Sequence, residues 1–302
     1  MTAAEAETRV AHQGLVLVPG SGSVTLDDVV ARSLDVGLRR IQMLAWRDLD
    51  DPEAGGSERH ADHVASRWAD AGLDVTVRTS AAAGHPAHVE RDGYHVLRRG
   101  RRYSVFPRSA FSGLLGRGRP DGLVEIWNGM PFFSPLWSRT PHITFVHHLH
   151  AEMWQMTLPP RLAALGSFIE SKFAPPFYRH VPIVTPSESS KRELVEAMHF
   201  KPRRVTVVHP GGVATSIAKN ARRPPGLSET EAARQKKYFE SVLTMPPETA
   251  GEIIVRGVER RQPRIVVGRD AQVAALVERL MPVTYWNWLG RKRQGTKQGM
   301  KR

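Results

Sequence analysis

Two short stretches hold the residues whose types and spacing could do chemistry. The first is "DPEAGGSER", running from Asp51 to Arg59. Its adjacent glycines, Gly55 and Gly56, let the backbone come close to a ligand and permit positive φ. A helical pattern follows, and its N-terminus would offer free N–H groups and a positive dipole end to a phosphate. The same residues also read as a plain chain turn, with Ser57 capping the helix. Spacing leaves both open, because the stretch is neither G-x-G-x-x-G nor a Walker loop. The second stretch is "TFVHHLHAEMW", from Thr144 to Trp154. His147, His148 and His150 cluster just past an apolar strand, where imidazoles could serve as general base or hydrogen-bond hydroxyl groups. Satisfied loop histidines are the structural alternative. No His pair at i, i+4 with an interposed Glu appears, so no metal is expected. In "TPSESSKREL", Ser187 or Ser189 reads as a helix cap.

These stretches need elements to hold them. From Leu38 onward strands and helices alternate. "RRIQMLAW" reads as a buried strand, a short apolar run between charge and turn residues. A helix follows in "SERHADHVASRWADAG", with Ala61, Val64, Ala65 and Trp68 on one face and Gly72 as its stop. Further strands are expected in "DVTVRTS", "YHVLRRG", "LVEIWNG", "HITFVHH", "VPIVTPS" and "RVTVVHP", with helical patterns at Ser109–Leu115, Pro160–Tyr178 and Ser189–His199. Such alternation predicts an α/β fold: a Rossmann-like parallel sheet with helices on both faces. Its chemistry belongs at the strands' C-terminal ends. Residues 1–36 hold one apolar run and a short helical pattern, "LDDVVARSL", and read as an N-terminal extension. After Val213 the texture changes to "ARRPPGLSE", a polar helix over Glu229–Leu243, a helix begun by Pro246 and Pro247, the strand "PRIVVG" and a last helix, "DAQVAALVERLMP". That is a short αβα segment.

Composition narrows the function classes. The chain has 302 residues, 41% of them hydrophobic and 24% charged, as in a globular protein with a sizeable core. No membrane-spanning run and no secretory leader is readable. The absence of cysteine excludes disulfides, thiolate catalysis and Cys-based zinc sites, and fits a cytoplasmic protein. The net charge of +13 gathers at "RRGRR", Arg98–Arg102, and in the tail "GRKRQGTKQGMKR". Without zinc-finger spacing, an aromatic RNA-binding signature or a basic heptad helix, nucleic acid is not the expected partner.

Together, "LRRIQMLAWRDLDDPEAGGSERHADHVASRWADAGLDVTVRTS", "PHITFVHHLHAEMW" and "VPIVTPSESSKREL" resemble the N-terminal domain of family 4 glycosyltransferases with the two-Rossmann (GT-B) fold, over about 38–210. The resemblance implies transfer of a sugar from a nucleotide-sugar donor to an acceptor, with retention of anomeric configuration and no required cofactor or metal. It implies donor-diphosphate contacts for Gly55, Gly56 and Ser57, and a catalytic place for His147 or His148, facing the acceptor or the transferred sugar. The basic surface would suit an acceptor at an anionic membrane, with the protein cytoplasmic or membrane-peripheral.

The remaining third is similar to a different family. "VTVVHPGGVATSIAKNAR" and "TAGEIIVRGVERRQPRIVVGRDAQVAALVERLMP" resemble the C-terminal part of short-chain dehydrogenases/reductases, over about 205–282. There the Pro-Gly turn and a following Thr, here Pro210, Gly211 and Thr215, imply a nicotinamide-binding remnant. The T-G-x-x-x-G-x-G loop and the Y-x-x-x-K pair of that family are absent, so hydride transfer is not expected. Glu240 and Glu248 match the E-x7-E spacing of a glycosyltransferase C-terminal half, but in a Pro-containing context without Gly-Phe-Gly. The expected organisation is therefore an extension (1–36), a glycosyltransferase-4-like domain (37–210), a dehydrogenase-like fragment (211–282) and a basic tail (283–302). The leading expectation is an acceptor-side glycosyltransferase domain, impaired because its donor-binding half is replaced. A dehydrogenase remnant or a non-catalytic glycan- or lipid-binding module is the alternative.

Overall fold

The structure is a computed structural model that describes residues 25–115, 119–151, 153–211, 213, 229–260 and 262–281. The chain divides into two units, one of residues 1–208 with 255–264, the other of residues 209–254 with 265–302.

In the first unit the strands are β1 (Arg40–Leu44), β2 (Asp74–Thr79), β3 (His88–Arg91), β4 (Tyr94–Arg98), β5 (Gly122–Trp127), β6 (His142–Val146), β7 (Ile183–Thr185) and β8 (Val205–Pro210), the last running into the second unit. They lie in the order β3-β4-β2-β1-β5-β6-β7-β8. Every pairing from β4 to β8 is parallel, with Met43 of β1 level with Val77 of β2 and Val124 of β5. The sheet is thus Rossmann-like, as expected, with one departure. Strand β3 pairs antiparallel with β4, Arg91 opposite Tyr94, through the two-residue turn Asp92-Gly93. Both turn residues have positive φ, 43° and 78°, the geometry in which an Asp-Gly pair closes a hairpin.

Strand β5, "GLVEIW", is buried along its whole length, which is what a central strand covered on both faces requires. Its Val124 and Ile126 join Ile41 and Met43 in a core on one face. Leu123 and Trp127 enter cores on the other face, with Val105 and Phe106 or with Tyr178 and Leu194. The period-two alternation of a strand divides these residues between two helical layers.

The helices of this unit are α1 (Leu26–Asp35), α2 (Gly56–Asp70), α3 (Val105–Leu115), α4 (Ser134–Trp137), α5 (Met153–Thr157), α6 (Pro160–Phe168) and α7 (Glu188–Glu196). Helix α1 belongs to the stretch read as an extension, yet it packs on the sheet core. Val30 is buried there, with Leu26 and Leu34 half-buried against the same cluster. Thr25 starts it with a capping box, accepting from the Asp28 N–H at 3.2 Å while Asp28 accepts from the Thr25 N–H at 2.8 Å. The single helix expected over Pro160–Tyr178 is three pieces: α6, a π turn (Ile169–Phe173) and a 3-10 turn (Pro175–Tyr178). Pro175 and Pro176 remove the N–H donors that an α-helix would need there.

The second unit holds α8 (Glu229–Val242), the start of α9 (Pro247–Glu259), most of β9 (Arg264–Val267) and α10 (Arg269–Leu280). Among its described residues Ala250, Ile265 and Val267 are the buried apolar ones.

Candidate active site at the strand switch point

The strand order reverses between β1 and β5. From β1 the chain moves outward to β2 and β4, and after α3 it returns to the other side of β1 as β5. At such a reversal the loops leaving adjacent strand ends diverge and open a crevice, the usual ligand position of open α/β sheets. The loop after β1 leads to Gly55 and Gly56, the loop after β5 begins at Asn128, and the loop after β6 begins at His147.

Helix α2 begins with Gly55 as its N-cap and Gly56 as its first residue. Neither glycine uses the positive φ that their type permits. Ser57 is not the cap. Instead the carboxylate of Glu58, buried and three residues past the cap, accepts the Gly55 N–H at 2.8 Å. Ser57 Oγ accepts from Asn128 Nδ2 at 3.2 Å and ties the two loops together. A Cβ on Gly56 would meet nothing within 4 Å, so the helix start faces open space. Arg47, just past β1, reaches Glu53 at 2.6 Å and Glu58 at 3.5 Å, and its guanidinium lies 5.2 Å from the Trp46 ring centre.

The two histidines predicted for catalysis diverge, as successive residues of an extended chain must. His147 turns toward α2, its Nε2 3.3 Å from Nδ1 of His60. His148 is exposed and stacks on His150, with ring centres 5.1 Å apart. Burial pushes the pKa of His60 down to about 4, helped by His147 and His63. Burial and then His148 lower that of His147 against the opposing pull of Glu58. His150 also falls to about 4, through burial and then the positive charges of His148 and Arg47. His60, His147 and His150 are therefore neutral imidazoles at neutral pH, able to donate or accept a hydrogen bond. The Nδ1 atoms of His147 and His150 are buried without a hydrogen-bond partner.

Two buried carboxylates hold these loops. Glu125, in the middle of β5, accepts from the Phe132 N–H at 2.7 Å, the Tyr178 hydroxyl at 2.7 Å and the Ser134 hydroxyl. Glu170 accepts from the His150 N–H at 3.0 Å and from Trp154 Nε1 at 2.8 Å. Burial raises the pKa of both, in each case against the hydrogen bonds they receive. Between them Gly129, with φ of 76°, lets the His150 ring come within 3.0 Å of where a Cβ would sit. Sequence reasoning missed Glu58, His60, Asn128, Glu125 and Glu170. Only Glu58 had a local signal, a Glu three residues past a helix start. Among the described residues no three His, Asp or Glu side chains gather as a metal-holding group.

In the second unit Gly211 makes a close approach to its own chain. Its N–H donates to the Val267 carbonyl at 2.8 Å. A Cβ there would lie 2.4 Å from Asp270 Oδ1 and 2.6 Å from that carbonyl, so the space beside the turn is filled by protein. Pro210 ends β8, and Thr215 lies outside the described residues.

The fold is that of an α/β protein with a Rossmann-like, mostly parallel sheet whose strand order reverses at β1 and β5. The family profile of Glycosyltransferase Family 4 matches residues 54–212, more than half of the chain, and the chain belongs to that family. Over 100 residues it is also 36% identical to a protein named as an oxidoreductase, SadH, from two Mycobacterium tuberculosis strains, covering 33% of this chain and 34% of that protein. The chain thus spans about a third of the length of the curated relatives it matches. Among solved structures, a glycosyltransferase from Rickettsia africae ESF-5 aligns with a TM-score of 0.40 and 13% identity, over 67% of this chain and 49% of that one.

Proposed function

We propose that residues 37–210 form the acceptor-side domain of a retaining, nucleotide-sugar-dependent glycosyltransferase. The observation that carries this reading is the open start of α2. Gly55, Gly56 and Ser57 stand at the C-terminal end of β1, tied to Asn128 from the next strand. A donor diphosphate against the N–H groups that follow Gly55, whose own N–H is taken by Glu58, would be held by backbone donors and the helix dipole. His147, neutral and with a vacant Nδ1, would hydrogen-bond a sugar or acceptor hydroxyl. No cofactor or metal is assigned.

The segment from about 205 to 282 is read as a short-chain dehydrogenase-like fragment on the resemblance of its sequence. Donor-binding residues of a second glycosyltransferase half are not recognised in it, and we propose that this chain alone turns over a nucleotide sugar poorly. A donor bound to one half only would lose much of its binding energy and its shelter from water.

Calorimetry with uridine and guanosine diphosphates tests the site. Gly56→Asp adds a carboxylate that the helix start tolerates, since acidic side chains suit the first turn. It should weaken nucleoside diphosphate binding at least tenfold while leaving the melting temperature unchanged. Equal binding by wild type and variant would remove the assignment. Robust turnover of a nucleotide sugar by the purified chain would overturn the proposed impairment.

A further inference from the structure

His147 meets α2 through a contact that needs no ligand. Its Nε2 lies 3.3 Å from Nδ1 of His60, and the two rings stand edge to face, with centres 5.0 Å apart and planes at 78°. His60 sits one helical turn beyond Gly56, and its ring also packs edgewise on Phe145 of β6, at 5.1 Å between centres. The contact thus joins the first turns of α2 to the end of β6.

Both rings are neutral at neutral pH. Each therefore carries one N–H and one lone pair, and two nitrogens in contact need one of each. Two arrangements meet that rule. If His147 Nε2 donates, both rings carry their proton on Nε2, and Nδ1 of His147 keeps a lone pair. If His60 Nδ1 donates, both rings carry it on Nδ1 instead. The surroundings separate the two. Nδ1 of His147 is buried without a hydrogen-bond partner, so the second arrangement would strand an N–H donor there, a rare and costly defect in a protein interior. Neutral histidine in water also favours the proton on Nε2, and the first arrangement gives both rings that form.

We propose that His60 is a positioning residue that fixes His147 as its Nε2–H tautomer and leaves Nδ1 as a hydrogen-bond acceptor. The hydrogen bond made by one imidazole nitrogen decides what the other can do. Any ligand group that reaches Nδ1 of His147 must then donate: a hydroxyl fits, and a carbonyl or phosphate oxygen does not. His60 acts through His147 rather than on a ligand. The ligand's role rests on the glycosyl-transfer reading above, whereas the tautomer is set within the chain.

The test is nitrogen-15 NMR of the full chain labelled at histidine, at neutral pH and without ligand. Protonated and bare imidazole nitrogens resonate far apart, so proton–nitrogen correlations identify the tautomer. His147→Gln removes one pattern from the spectrum and so assigns it. In wild type, Nε2 of His147 should carry the proton and Nδ1 should be bare. Two variants of His60 then separate the hydrogen bond from packing. His60→Phe keeps a ring beside Phe145 but loses the acceptor, so the two His147 nitrogens should shift toward each other as tautomers mix. His60→Asn loses the ring but keeps an oxygen near the Nδ1 position, and should retain the wild-type pattern. A proton on Nδ1 of His147 in wild type would overturn the proposal, and this spectrum decides even if a variant does not fold. An unchanged pattern in His60→Phe would also overturn it. Equal mixing in both variants would assign the effect to packing and overturn it as well. No nucleotide enters these measurements, so their outcome is independent of the Gly56→Asp binding test.

Discussion

His60 and His150 are each pushed down to about 4, with burial as the first cause. In the unfolded chain both would titrate near the ordinary value of about 6.5. Between about 6.5 and 4 the unfolded chain therefore takes up protons that the fold refuses. Their contribution is complete above about 6.5 and is lost as pH falls toward 4, on the order of 3 kcal/mol for each group. Urea midpoints measured over this range should fall with acid, and His60→Phe should flatten that fall while leaving stability at pH above about 7 less affected. An unchanged acid slope in His60→Phe would show that His60 takes up its proton inside the fold. The carboxylates act on neighbours rather than on ligand: Glu125 and Glu170 fix the loops after β5 and β6. Past the same C-terminal end of β1, in the loop that leads to Gly55, an ion cluster does similar work. Arg98 bonds Asp48 at 2.6 Å and also Asp50, and Arg91 reaches Asp50 at 2.7 Å. Burial alone would raise the Asp50 pKa, but Arg91 and Arg98 outweigh it and hold the carboxyl below its ordinary range.

Helix α1 is where an element's role depended on its partner surface. Its amphipathic pattern is legible in "LDDVVARSL", but the surface it covers lies on β1, α2 and β4, far along the chain. Val30→Ala should therefore destabilise the domain by about 1–3 kcal/mol, the cost of a small cavity in a packed core. A lower urea midpoint with an unchanged m-value is the expected reading. No shift would mean that the helix stands apart from the folding unit. The β3–β4 hairpin is a different case. Its Asp92-Gly93 signal was present in the sequence, and overlooking it left the sheet wholly parallel in expectation. The break in the 160–178 helix was likewise marked by adjacent prolines.

For the whole molecule, the division into two units near residue 208 falls close to the change of texture seen after Val213. Family membership accounts for the larger unit. The smaller unit is where the dehydrogenase resemblance makes its prediction. At Gly211 itself the space beside the backbone is taken by Val267 and Asp270, where a carboxamide would have to approach. Reduced nicotinamide dinucleotides should therefore show no binding in calorimetry or in fluorescence titration with the intact chain. Saturable micromolar binding would overturn that expectation and give the fragment a working cofactor site.

Local sequence by itself determined the alternation of strands and helices, the helix that follows Gly55-Gly56 and the family resemblance. All of these depend on residues a few positions apart, where periodicity and turn chemistry act directly. Only the tertiary structure decided what surrounds them. It paired His147 with His60, set Asn128 on Ser57, made Gly55 the α2 cap with its N–H held by Glu58, and closed the space beside Gly211. The His147 and Asn128 pairings join residues more than 70 positions apart. Such contacts form only when sheet order brings the ends of β1, β5 and β6 together, and no local pattern in the chain encodes that order.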